Sequence, residues 1–216
     1  MPTATDPSLY ALVTVLTTAG LVRCDRFGSR LGRGSLKPIA ATGFVLTAWA
    51  AGALDSTYGQ WIFLGLLLSW VGDVALLARE SPGLFKLGLV SFLLGHVAYS
   101  VGFVARGISA DAALGAAAAL SIPAVIALRW LTPHVSDSMK TPVRAYVVVI
   151  TLMVLLAIAT VAHAGNPWIL VGAVLFYLSD LAVARERFVV RSFWNGAWGS
   201  PMYFVGQVVL ALTVRP

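Results

Sequence analysis

The sequence predicts an all-α fold, a polytopic membrane protein of eight transmembrane helices built from a duplicated four-helix unit. Three observations lead there: a shortage of charge, apolar runs of membrane-crossing length, and basic residues gathered on one side of those runs. Of 216 residues, 59% are hydrophobic and 11% charged, with a mean hydropathy of +0.86. A water-soluble domain carries about 25% charged residues. A soluble enzyme, a secreted domain and a disordered tail are therefore excluded. The formal net charge of +6 would suit nucleic acid, but the placement of the basic residues makes them topology signals, and no nucleic-acid partner is expected. Cys24 is the single cysteine, so neither an intramolecular disulfide nor a cysteine metal cluster can form.

A hydrocarbon core of about 30 Å is crossed by a helix of about 20 apolar residues. The first candidate run, residues 8–22, has no basic residue before it, whereas a signal peptide begins with a positive segment. Arg23, Arg26, Arg30 and Arg33 follow it, as expected for a retained span with a cytoplasmic flank. The next runs are 37–54, 60–78 and 85–105. The fifth, 108–131, is Ala-rich with Pro123 inside it and reads as a close-packing, kinked helix. Runs 143–163, 167–184 and 199–214 complete the set. The breakers between them are Gly, Pro, Asp, Asn and Arg, as short loops require. The whole chain is one bundle, with halves of roughly 1–106 and 107–216.

Charge then sets the orientation. With the sides numbered alternately, thirteen of the 15 basic residues fall on one side, among them Lys37, Arg79, Lys86, Lys140 and Arg185; Arg106 and Arg215 fall on the other. Basic loops mark the cytoplasm. The expectation is a multi-pass protein of the cell (inner) membrane with both termini outside.

Spans three and seven carry an internal repeat. Trp61–Ala75 and Trp168–Ala182 align without a gap, with Trp, Ile, Gly, Leu, Asp and Ala in common. The two spans lie four spans apart and so run in the same direction, which makes the halves parallel repeats. The alignment matches Asp73 with Asp180. Counting back from the exits at Arg79 and Arg185, both carboxyls lie about 8–9 Å inside the cytoplasmic boundary. An acid inside a span is costly and marks a functional site by default.

The same counting places His96 near mid-bilayer, Tyr99 a turn deeper, Tyr203 and Gln207 level with the aspartates, and Lys37 at the cytoplasmic mouth of span two. The simplest arrangement is a cavity open to the cytoplasmic leaflet, lined by Asp73, Asp180, Tyr203, Gln207 and His96. Each residue also has a plainer structural use: Tyr203 and Gln207 as polar contacts between helices, Ser179 bonded to its own helix carbonyl. There is no G-x-S-x-G elbow. His134 and His163 sit at loop ends on opposite sides, so no metal site is expected.

The blocks Lys37-Pro38, Gly65 through Gly72-Asp73, Phe92 with Gly95-His96 and Tyr99, Gly172-Ala173 with Phe176 and Ser179-Asp180, and Tyr203 with Gln207 occur in order. On these residues the chain resembles the lysoplasmalogenase family of YhhN-like, TMEM86-like eight-span membrane proteins. The resemblance implies an ether hydrolase that cleaves the vinyl ether bond of lysoplasmalogens, giving a fatty aldehyde and a glycerophospho-headgroup alcohol. It implies Asp73 and Asp180 as the catalytic pair. Lys37, His96, Tyr99, Ser179, Tyr203 and Gln207 would be substrate-binding residues, the partner a membrane lysophospholipid, and no cofactor is required. Two other readings stay open: a proton-coupled transporter, and a hydrolase acting on another lysolipid bond.

Overall fold

The computed structural model describes residues 6–78 and 81–215; Arg79, the expected exit of span three, lies outside them. Among the described residues there are eight long α-helices and no strand: α1 (Pro7–Arg26), α2 (Arg30–Ala50), α3 (Thr57–Ala75), α4 (Pro82–Arg106), α5 (Ala110–Leu131), α6 (Asp137–Ala164), α7 (Pro167–Ala184) and α8 (Phe193–Leu212). Each expected span falls on one helix, in order.

Seven of the eight helices start at a side-chain cap. Asp6, Ser29, Ser56, Ser81, Ser109, Asn166 and Ser192 each accept a bond from a first-turn N–H, satisfying donors that no helix can bond internally. The Ser8 N–H and hydroxyl also hold the Asp6 carboxyl below its usual range. Ser136, before α6, makes no such bond. Pro7, Pro82 and Pro167 lie in first turns, where a missing N–H costs nothing. Gly165 ends α6 at φ +74°, a left-handed conformation that suits glycine.

Three helices begin six or more residues before their apolar runs. α2 starts at Arg30, α6 at Asp137 and α8 at Phe193, because an apolar run marks hydrocarbon depth whereas the preceding serine marks where the helix starts. Lys37 therefore lies two turns inside α2. α5 departs from the expected close packing. It is the least buried helix, with only Ala116, Ala127 and Leu131 buried, so most of its small side chains are not packed against the other helices.

The molecule is a multi-pass membrane protein. Five helices, α1, α4, α5, α6 and α7, are long and apolar enough to cross a bilayer. The other three, α2, α3 and α8, carry Lys37, Asp73, Tyr203 and Gln207, polar groups that lower their hydropathy.

Helix α3 packs on α4, and α7 on α8, at matching positions. A Cβ added to Gly95 of α4 would lie 3.3 Å from the Gly65 carbonyl, 3.3 Å from Ser69 Oγ and 3.8 Å from Leu68 Cβ. A Cβ added to Gly206 of α8 would lie 3.1 Å from the Gly172 carbonyl, 3.1 Å from Leu175 Cβ and 3.3 Å from Phe176 N. Gly65, Leu68 and Ser69 are the residues that the repeat aligns with Gly172, Leu175 and Phe176. Small residues at such crossings let backbones approach closely, which is what holds helices together where lipid removes the hydrophobic drive. The two pairs meet directly where α3 touches α8, and indirectly through α6, which packs on α4 and α7, and α2, which packs on α3 and α8.

Candidate functional site

The two aspartates enter the bundle interior from α3 and α7, and each is held by a tyrosine. Asp73 is 2% exposed. Tyr203 OH donates to its Oδ2 at 2.7 Å, and Lys37 Nζ lies 3.0 Å from its Oδ1. The same ammonium reaches the Asp73 backbone carbonyl at 3.5 Å. Lys37 can do this because it sits inside α2 rather than ahead of it.

Asp180 has a different neighbourhood. Tyr146 OH donates to its Oδ2 at 2.7 Å. His96 Nε2 lies 3.4 Å from the same oxygen but off the direction of a hydrogen bond, so it has no hydrogen-bond partner. The other ring nitrogen, Nδ1, faces the Phe92 carbonyl at 2.6 Å. A carbonyl only accepts, so Nδ1 must carry hydrogen. In a neutral ring Nε2 then presents a lone pair towards Asp180, and an ionised carboxylate would set acceptor against acceptor. One proton held between the two relieves that conflict.

Aromatic rings join the two carboxyl sites. Phe176 stacks on His96 with centroids 4.3 Å apart and meets Tyr203 edge-on at 5.4 Å. Phe92 meets Tyr203 at 5.8 Å and Phe176 at 6.2 Å. Each such pair contributes about 0.5–1.5 kcal/mol beyond its buried area, so the cluster also fixes the rings that carry the donors. Deeper in the bundle, Tyr99 OH donates to Gln207 Oε1 at 2.6 Å. The Tyr99 ring lies where any Cβ on Gly65 would clash. Three buried side-chain atoms have no hydrogen-bond partner among the described residues: Ser69 Oγ, His96 Nε2 and Gln207 Nε2. All three belong to helices that bear or contact the aspartates, and a buried polar atom without a partner calls for an explanation.

Of the sequence-derived site residues, the structure gathers Lys37, Asp73 and Tyr203 in one cluster, His96 and Asp180 in a second, and Tyr99 with Gln207 in a third. It does not bring Ser179 to them. Ser179 Oγ bonds the Phe176 carbonyl of its own helix at 2.7 Å, because the residue beside Asp180 on a helix points about a quarter-turn away. The open cavity is also corrected. His96, Tyr99 and Gln207 are fully buried and Tyr203 is 8% exposed, since paired polar side chains close on one another. Tyr146 was missed; its only signal is a hydroxyl within an apolar run. Among the described residues no group of three His, Cys, Asp or Glu is placed to hold a metal ion.

The comparisons agree in direction. A profile of the YhhN family matches residues 33–214. The chain is 28% identical over 158 residues to the lysoplasmalogenase TMEM86A of Bos taurus, and 30% identical over 158 residues to the lysoplasmalogenase TMEM86A of Homo sapiens. Each match covers 70% of this chain and 64% of the relative, so the chain spans just under two thirds of the length of those proteins. No solved structure matches it significantly.

Proposed function

The chain belongs to the YhhN family, and from that premise we propose that it is a lysoplasmalogenase, hydrolysing the vinyl ether of lysoplasmalogens with Asp180 as acid and Asp73 as carboxylate. The observation that carries the assignment is the difference between the partners: an ammonium at 3.0 Å from Asp73, a phenol and an imidazole at Asp180. The ammonium balances a negative carboxylate. The Asp180–His96 contact has room for one proton to give away.

The chemistry needs both. Asp180 delivers its proton to the β-carbon of the vinyl ether, and the double-bond electrons form that C–H bond. The α-carbon becomes an oxocarbenium ion. The Asp73 carboxylate and the faces of Phe92, Phe176 and Tyr203 stabilise that cation. Water adds to the α-carbon and its proton returns to the carboxylate pair. The hemiacetal then collapses to aldehyde and alcohol. Two carboxyls separated in role by their surroundings is the division used in glycoside hydrolysis.

All eight helices span the bilayer in this reading, the α3–α4 and α7–α8 pairs are copies of one unit, and both termini lie outside. The thirteen-to-two distribution of basic residues supports this orientation. A C-terminal reporter active only in the cytoplasm should stay silent; strong activity would overturn the eight-span arrangement. For the reaction, purified protein is given a lysoplasmalogen and an acyl lysophospholipid of the same headgroup. Fatty aldehyde from the first and no fatty acid from the second is the expected result. Fatty acid alone would make it another lysolipid hydrolase, and proton-coupled solute movement without cleavage would make it a carrier.

A further inference from the structure

Away from the aspartates, two cavities of opposite character lie near the C-terminal ends of α5 and α7. α5 packs on α6, and α7 packs on α6 and α8, which leaves the α5–α7 side of α6 less filled. A cationic mouth, a cavity of about 350 Å³, lies where α5 and α7 have ended and α4 and α6 begin, lined by Lys86, Arg187, His134, Phe85, Ser136 and Ser138, among others. Arg187 is stacked 4.0 Å over the Phe85 ring, which restrains its guanidinium there. The start of α6 adds to the positive end: the Ser136 hydroxyl caps no first-turn N–H and meets only Ser138 Oγ, at 3.4 Å. A helix N-terminus attracts an anion. Asp137, in the same turn, is turned to solvent and paired with Lys140 at 2.6 Å.

Between α5 and α7 is an apolar groove, a cavity of about 230 Å³, lined by Pro123, Ile126, Trp130, Tyr177 and Leu181, among others. The two share no lining residue but lie close along the chain: Trp130 of the groove and His134 of the mouth are four residues apart across the end of α5, and Leu181 and Phe188 are seven residues apart across the end of α7. A cationic mouth beside an apolar groove has the charge pattern of a single-chain lipid with a phosphate headgroup.

We propose that mouth and groove together are the lysophospholipid-binding site, with the phosphate held by Lys86 and Arg187 at the mouth and the hydrocarbon chain lying in the groove beside Trp130. The site rests on the lysolipid reading for its relevance but not for its test. The probe is a lysophosphatidylethanolamine with an ordinary ester-linked chain brominated along its length, which carries no vinyl ether. Bromine in the groove quenches Trp130 fluorescence, so quenching should fall in Trp130→Phe. In the Lys86→Gln/Arg187→Gln double variant affinity should drop about tenfold or more, the scale of a lost charge-assisted bond. A brominated monoacylglycerol of the same chain length should bind wild type and double variant alike. Lys86→Arg/Arg187→Lys should restore phospholipid binding, and melting temperature in detergent confirms that each variant is folded. Equal lysophospholipid affinity in wild type and the double variant, or unchanged quenching in Trp130→Phe, overturns the proposal. Displacement of the lysolipid by inorganic phosphate alone does so too, reducing the mouth to an anion site. None of these outcomes depends on whether the protein cleaves a vinyl ether.

Discussion

The α3–α4 pair and the α7–α8 pair use the same backbone contacts and different chemistry. Gly65 against Gly95 corresponds to Gly172 against Gly206, and Asp73 to Asp180. In that register Phe92 of α4 stands where α8 has Tyr203, and His96 stands where α8 has Gln207. Each aspartate is served from the opposite pair: Asp73 of α3 by Tyr203 of α8, Asp180 of α7 by His96 of α4. The helix that precedes each pair adds the second difference, Lys37 from α2 against Tyr146 from α6. A matched scaffold with mismatched donors gives two carboxyls at equivalent places with unlike partners. On the proposed mechanism, that difference is what would supply both an acid and a base.

The strongest way to break the comparison is to remove each acid in turn. Asp180→Asn and Asp73→Asn keep size and most hydrogen-bonding capacity but cannot transfer the proton. General acid–base catalysis contributes about 10²–10⁴-fold, so each should lose at least about two decades of turnover, Asp180→Asn with melting temperature retained and Asp73→Asn with a lowered one, because the buried Lys37 ammonium is left without its carboxylate. Near-normal vinyl-ether cleavage in both would remove the aspartate mechanism.

Removing the partners should separate the two sites by stability. Lys37→Met leaves the Asp73 carboxylate buried beside no cation, which costs about 3–5 kcal/mol for a broken buried pair. Tyr146→Phe removes one hydrogen bond to Asp180 and should cost about 1–3 kcal/mol. Equal losses in detergent unfolding would mean that the two carboxyls do not differ in charge. The smallest effect tests the scaffold. Gly95→Ala and Gly206→Ala each place a methyl about 3.1–3.3 Å from a facing carbonyl, and overpacking costs about 1–3 kcal/mol. The two losses should agree, and a large difference would argue against equivalent crossings.

The helices and both aspartates were legible in the sequence because each leaves a local mark: a run of set length, or an acid within it. Helix starts were less so, since Ser29 and Ser192 are polar residues outside the runs they begin. Pairing was not legible. Nothing near Tyr146 points to Asp180, 34 positions away, and nothing near Lys37 points to Asp73. Ser179 misled for the opposite reason: adjacency in sequence is divergence on a helix. The aromatic cluster around Phe176 was visible only as scattered residues until three helices, α4, α7 and α8, brought them together.

The crossing of donors between the pairs has a consequence for assembly. Two identical copies of one half, associated about a two-fold axis, would have to offer both acids the same partner, either two hydroxyls or two imidazoles. Symmetry would then make the carboxyls indistinguishable, and neither could specialise as donor. Joining the halves in a single chain lifts that constraint, because position 92 can lose its hydroxyl while position 203 keeps one. Residues 96 and 207, Lys37 and Tyr146 are free to diverge in the same way. On the proposed mechanism, the covalent link between α4 and α5 is thus what would permit one side of the site to be acidic while the other stays anionic.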